Sequence, residues 1–194
     1  MNGAAVAVRR RLPRATPVLA LALALAAALV PARGAFAQTP LPCDPANLPR
    51  QALQAINLLR AAPTQCGALS LAAAPPLAWS DLAARAAALH ADDMARRDQM
   101  GHYGSDGSLA GQRLTQAGYA WGGWGENLGQ GQTELSELLA QWMASDGHCA
   151  NLMHPRMTEF GIACRQRDGQ DPFWALTLAR PSRQPPPQPA AGGR

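Results

Sequence analysis

The chain contains no lysine; all 17 of its basic residues are arginine. This bias reflects genome composition more than chemistry, but it has one consequence. The glycine-rich run from Gly122 to Gly131 has no Lys-Ser/Thr to close a phosphate loop and lacks the spacing of a dinucleotide fingerprint, so it is not a nucleotide-binding loop. No His-Glu-x-x-His occurs, which removes the helical zinc-protease signature. No internal repeat is visible. The apolar run from Val18 to Val30 falls short of the about 20 residues that a membrane span needs.

That run belongs to a different pattern. Arg9, Arg10, Arg11 and Arg14 precede it, and Ala35-Phe36-Ala37 follows as a small-x-small site before Gln38. Residues 1–37 therefore read as a secretory signal peptide, and an uncut leader would act as an anchor. The formal net charge of +4 misleads. The leader holds five of the 17 arginines and none of the 13 acids, leaving twelve arginines against thirteen acids, a net charge of −1. The high pI thus gives no reason to expect nucleic acid or anionic lipid as a partner.

Beyond the leader, 38–47 reads as an extended linker, 48–180 as one domain and 181–194 as a disordered Pro/Gly-rich tail. Four cysteines, Cys43, Cys66, Cys149 and Cys164, all lie after the leader. An even count in an exported chain predicts two disulfides. Three pairings are open, and sequence separation mildly favours Cys43–Cys66 with Cys149–Cys164. A lipid anchor on Cys43 is poorly supported, because Leu41-Pro42 is a poor lipoprotein cleavage site.

Periodicity predicts helices over Leu48–Ala61, Trp79–Gln99, Ser108–Ala117 and Thr133–Ser145, and a helical turn over His148–Met153. In the first, Asn57 and Arg60 fall towards the polar side. In the second, Ser80 or Asp81 caps the start, and Leu82, Ala86, Leu89 and Met94 form the apolar face, with Ala83, Ala87 and Ala91 beside them. Thr133 is the expected cap of the fourth. Tyr119–Gly131 reads as irregular backbone with a brief strand at Glu126–Leu128. Thr158–Arg165 and Phe173–Ala179 read as strands joined by a hairpin-like loop. Helices first and strands later predict an α+β fold, with helices packed on a small antiparallel sheet.

His102, Glu126 and His148 form the one polar constellation suited to chemistry. Neutral imidazoles are good ligands for zinc or copper, and a neighbouring carboxylate serves as a third ligand or orients an imidazole from behind. The same groups also suit general acid and base work. The bland alternative has each histidine satisfying local backbone and Glu126 as a solvated charge. His90 reads as a helix-surface or core histidine and His154 as a helix-ending residue. Cys149 reads as a disulfide partner rather than a nucleophile, and Asn127 as a brace for a turn. Trp121 and Trp124 suit a cleft wall or an exposed platform; Trp79, Trp142 and Trp174 suit the core.

The series His90-Ala-Asp-Asp-Met94, Gly101-His102, Gly125-Glu126-Asn127-Leu128, Trp142-x-x-Ser145-x-Gly147-His148-x-x-Asn151, Gly161 and Phe173-Trp174 resembles the CAP superfamily of cysteine-rich secretory, antigen 5 and pathogenesis-related proteins. The likeness runs over roughly Leu48–Arg180 and is nearest to the secreted bacterial branch. It implies an α-β-α sandwich around a short antiparallel sheet, with a cleft holding two histidines and two acids. His102, Glu126 and His148 match three of these four. Ser145 stands where many eukaryotic members carry the second acid. The resemblance further implies a divalent metal, often zinc, on the histidines. The expectation is a secreted or periplasmic monomer whose cleft binds a metal or a small ligand, with lipid and peptide as the candidate ligand classes. The competing readings are a metal-dependent peptide or ester hydrolase using the same residues, and an interaction module with a vestigial cleft.

Overall fold

The computed structural model describes Cys43 and residues 46–183. The leader, most of the linker and most of the tail lie outside the described residues. Helix α1 is Leu48–Arg60, followed by a hairpin of β1, Thr64–Cys66, and β2, Leu69–Leu71. Strand β3, Ala78–Trp79, leads into α2, Asp81–Arg97, then α3, Ala110–Gln116. Strand β4, Trp121–Gln130, precedes α4, Leu135–Met143, and α5, Asp146–Leu152. Strands β5, Glu159–Arg165, and β6, Phe173–Pro181, complete the fold. Among the described residues, no helix is long and apolar enough to cross a membrane.

The main sheet has the order β3-β5-β6-β4. β4, β6 and β5 are antiparallel, as expected, and β3 adds a short parallel edge on β5. Side chains alternate across this sheet. Phe160, Ile162, Trp174, Leu176 and Leu178 face one way and form the large core with Leu48, Ala52 and Ile56 of α1 and Leu138, Leu139 and Trp142 of α4. Ala163, Phe173 and Ala175 face the other way, onto Ala87, Ala91 and Met94 of α2. Ala83 and Ala86 of α2 join Leu114 of α3 in a further cluster under Ala179. The product is an α-β-α sandwich.

The two faces differ in grain. Large side chains fill the α1/α4 side, whereas alanine dominates the α2 side. Small residues let helix and sheet backbones approach closely. A Cβ placed on Gly161 of β5 would run into the backbone of Ala83 and Ala84. This explains why the apolar face predicted for α2 is partly wrong. Leu82 and Leu89 are exposed, whereas Ala83, Ala86, Ala87, Ala91 and Met94 are buried as expected, with His90 among them. The buried stripe follows the alanines because leucine would hold the helix off the sheet.

Other expectations are corrected locally. β4 runs for ten residues rather than three, since β6 pairs with it along its length. The β1–β2 hairpin lies where only a helix end was expected. Glu134, not Thr133, precedes the first turn of α4. Ser80 does cap α2, accepting from the Ala83 N–H at 3.4 Å. Trp79 is only partly buried, packing edge-on against Phe160 and donating its indole N–H to Asp81. Arg60 is fully buried rather than on a polar face. Its guanidinium donates to the carbonyls of Pro75, Leu152 and His154 and so ties α1 to two loops.

The disulfides are Cys43–Cys164 and Cys66–Cys149, which overturns the pairing favoured by sequence separation. Their Cα atoms lie 4.9 and 5.5 Å apart. The fold brings the segment before α1 beside β5, and the β1–β2 hairpin beside α5. Bridging distance, not chain distance, selects the partner.

Candidate functional site

The site is built on β4. As β4 passes between β6 and α5, its residues alternate in direction, and Glu126 points towards α2 and α3. It is 5% exposed. One carboxylate oxygen lies 2.8 Å from Nδ1 of His102, and the other accepts from the Arg113 guanidinium at 2.5 Å. Arg113, on α3, is also buried and donates to the carbonyls of Ser108 and His102. His102 sits in the loop after α2, where that loop is pinned from both ends. His90 Nε2 lies 2.8 Å from the Gly101 carbonyl, and Asp93 accepts from both the N–H and the hydroxyl of Ser105.

His148 comes from α5. That helix opens at Ser145, and Cys149 next door is bridged to Cys66. Two asparagines fix α5 against β4. Asn127 donates from its side chain to the His148 carbonyl at 3.0 Å, and Asn151 donates to the Glu126 carbonyl at 3.1 Å and the Asn127 side chain at 2.9 Å. Asn127 therefore clamps a strand to a helix; it is not the turn brace expected from sequence. The His148 ring packs beside Trp142, with centroids 6.4 Å apart. Among the described residues, neither of its nitrogens has a hydrogen-bond partner.

His102, Glu126 and His148 line one cavity of about 450 Å³, together with Trp124, Ser145 and Asn151. The structure thus brings the three predicted residues together. Trp124 forms a wall, while Trp121 stacks edge-on against it and is exposed. Asp146 points away, its carboxylate lying against Gly67 at the tip of the β1–β2 hairpin. Among the described residues lining the cavity, no second acid therefore takes the place of the missing one at Ser145.

Electrostatics separates the two imidazoles. The hydrogen bond from Glu126, reinforced by its charge, raises the pKa of His102 against an opposing desolvation. Burial, and the nearness of His102, lower that of His148. His90 is fully buried with its pKa lowered by desolvation, and it serves as a core strut rather than a ligand. Arg113 is the residue that sequence reasoning missed. A polar residue on a short helix gives no sign that it will meet a strand carboxylate. Its place in an otherwise apolar stripe with Ala110 and Leu114 was the only available hint.

Among the described residues, no group of three or more His, Cys, Asp or Glu side chains is arranged to hold a metal ion. The two imidazoles are the neutral nitrogen donors that this cavity offers. Glu126 holds His102 by Nδ1, leaving Nε2 outward, and His148 is uncommitted.

The family described as the cysteine-rich secretory protein family, CAP, matches residues 53–178. A Bacillus subtilis protein, the uncharacterized protein YkwD, is 28% identical over 91 residues, which are 45% of this chain and 34% of that protein. A solved extracellular protein containing an SCP domain, from Bacillus anthracis, superposes with a TM-score of 0.50 at 26% identity, over 55% of this chain and 34% of its own. An outer surface protein of Borrelia burgdorferi superposes at 0.53 with 16% identity, over 56% of this chain and 80% of its own, a likeness of fold alone. The chain spans about a third of the length of the two Bacillus proteins.

Proposed function

The chain belongs to the cysteine-rich secretory protein family, and on that premise we propose that its central cleft binds a divalent metal ion, zinc above all, through His102 and His148. The observation that carries this reading is the hydrogen bond between Glu126 and His102 Nδ1. A carboxylate behind an imidazole fixes its tautomer, turns its other nitrogen outward and strengthens it as a ligand. His148 faces the same cavity, and its lowered pKa keeps it neutral, the form that ligates.

In this reading Glu126 orients His102. Each of its oxygens is engaged, one by His102 and one by Arg113, so here it acts as a positioning group behind the imidazole. Arg113 holds Glu126 in turn. A bound ion would supply Lewis acidity and coordination positions open to water or a small ligand. With two protein ligands and no spare carboxylate, this geometry favours reversible binding over metal-dependent hydrolysis. The same reading takes the protein to be exported. The leader pattern, two disulfides and the likeness to an extracellular Bacillus anthracis protein support it.

The test is calorimetric titration of Zn2+ into the protein as exported and into a His102→Ala/His148→Ala double variant. One ion per chain, lost in the folded double variant, is the expected result. No binding by the folded parent, or undiminished binding by the double variant, overturns the reading.

A further inference from the structure

A second cavity, of about 370 Å³, shares Trp124 with the histidine cleft. Its charged lining is of one sign. His154, Arg156 and Arg180 face it with the backbone of Gly122 and Gly123, and no carboxylate lines it. Among the described residues, neither Arg156 nor Arg180 is within salt-bridge distance of an acid. Guanidiniums left without a counter-charge around a concavity call for an anion.

Local structure presents these groups to the cavity. β4 bulges at Gly122, its register stepping from Trp121↔Pro181 to Gly123↔Arg180. Bulges commonly redirect a side chain. Here the Arg180 guanidinium donates to the Gly122 carbonyl and lies beside Gly123, where a Cβ would stand 3.5 Å from Nη2. The glycine leaves that flank of the guanidinium bare. His154 accepts the Arg156 backbone N–H on Nδ1 at 3.1 Å, so its neutral ring carries the proton on Nε2 and offers a donor. Behind it lies the fully buried Arg60, which donates to the His154 carbonyl at 3.3 Å and meets only carbonyl oxygens. Burial lowers the pKa of His154 most, and the charges of Arg156, Arg60 and Arg180 lower it further against an opposing backbone hydrogen bond.

We propose that this cavity is an oxyanion site for a phosphate group, held by the guanidiniums of Arg156 and Arg180 and by Nε2–H of His154. Two planar forks and an imidazole N–H, from the loop before β5 and from β6, match the three terminal oxygens of a phosphate monoester better than the two of a planar carboxylate. The group arrives either on a small soluble ester or on a lipid headgroup. The site stands on residues separate from the two imidazoles of the metal reading and does not depend on it.

The test uses the protein as exported, stripped with chelator, at constant ionic strength. Inorganic phosphate and glycerol 3-phosphate are titrated in while the His154 imidazole is followed by NMR. Saturable binding that raises the His154 pKa, weakened about tenfold or more in Arg156→Gln/Arg180→Gln with Zn2+ binding unchanged, is expected. An Arg156→Lys/Arg180→Lys variant, which keeps charge and loses the forks, should fall between the two. Vesicles of phosphatidylcholine with phosphatidic acid then separate the sources. Binding clearly tighter than to glycerol 3-phosphate marks a headgroup, and equal or weaker binding marks a soluble ester. The proposal is overturned if His154 shows no saturable response, or if the glutamine variant binds like the parent. Arg156→Gln alone, at an exposed position, keeps the test decisive if the double variant does not fold.

Discussion

Glu126 and Arg113 meet at 2.5 Å inside the domain, with side chains 3% and 4% exposed. Neither charge can be left alone there. Removing one partner of a buried pair costs on the order of 3–5 kcal/mol, because the survivor stays desolvated without compensation. Arg113→Ala should therefore destabilise the domain by about that amount in chemical denaturation. Replacing both with apolar residues, as in Arg113→Met/Glu126→Leu, should recover much of the loss while detaching His102. A loss in the double variant equal to the sum of the single losses would refute this coupling.

The same carboxylate sets a pH response. The pKa of His102 is raised in the folded protein, so its bond to Glu126 contributes stability that is fully present below the unfolded value, about 6.5. That contribution fades as pH rises through the folded value. Metal affinity should run the opposite way. Protonated His102 carries a hydrogen on Nε2, so zinc binding should weaken as pH falls through the raised His102 value while His148 is still neutral. Calorimetry across pH, with imidazole NMR assigning each titration, checks the order. If His148 takes up its proton before His102 as pH falls, this account of the two imidazoles is wrong.

Ser145 offers a gain-of-function test. It lines the cavity with His148 and occupies the N-cap of α5, where a carboxylate is also tolerated. Ser145→Asp should raise the His148 pKa, as an opposite charge within a few ångströms does. It should also tighten zinc binding. An unchanged His148 titration would mean that the new carboxylate turns away from the cleft.

The Cys66–Cys149 bridge anchors the helix that carries His148. Cys66→Ala/Cys149→Ala should cost about 2–5 kcal/mol. Hydrogen exchange should rise first in α5 and the β1–β2 hairpin. Uniform loss of protection across the sheet would argue against a local anchoring role.

Gly161 faces the backbone of Ala83 and Ala84. Backbone cannot give way as a side-chain end can. Gly161→Ala should cost at least about 1–3 kcal/mol by overpacking, and its melting transition should show it. A variant as stable as the parent would mean that α2 rides further from the sheet than the structure has it.

Much of this was legible in the sequence. α1, α2, β5 and β6 announce themselves by periodicity, and the glycine-flanked His102, Glu126 and His148 marked the cleft. What was not legible shares one cause: it depends on partners distant in the chain. β4 is rich in glycine, which favours no strand by itself, and it extends because β6 offers a full ladder. Leucines on α2 look like core until Gly161 of the sheet proves to lie against the backbone of Ala83 and Ala84. Arg60 falls on a predicted polar side and Arg113 carries no signal of its own, yet both are buried by acceptors from elsewhere in the fold. The cysteine pairing needs Cα distances that spacing does not supply.

Asn127 and Asn151 have a consequence for how such a protein can change over time. They hold α5 to β4 through their own side-chain hydrogen bonds, to backbone carbonyls and to each other. The placing of His148 thus rests on these two asparagines, whereas several other residues of the cleft lining take no part in it. Trp124, Ser145 and Gly147 can be exchanged while the frame that spaces the histidines stays in place. A lineage built on this frame can alter what it recognises without first having to reinvent its fold.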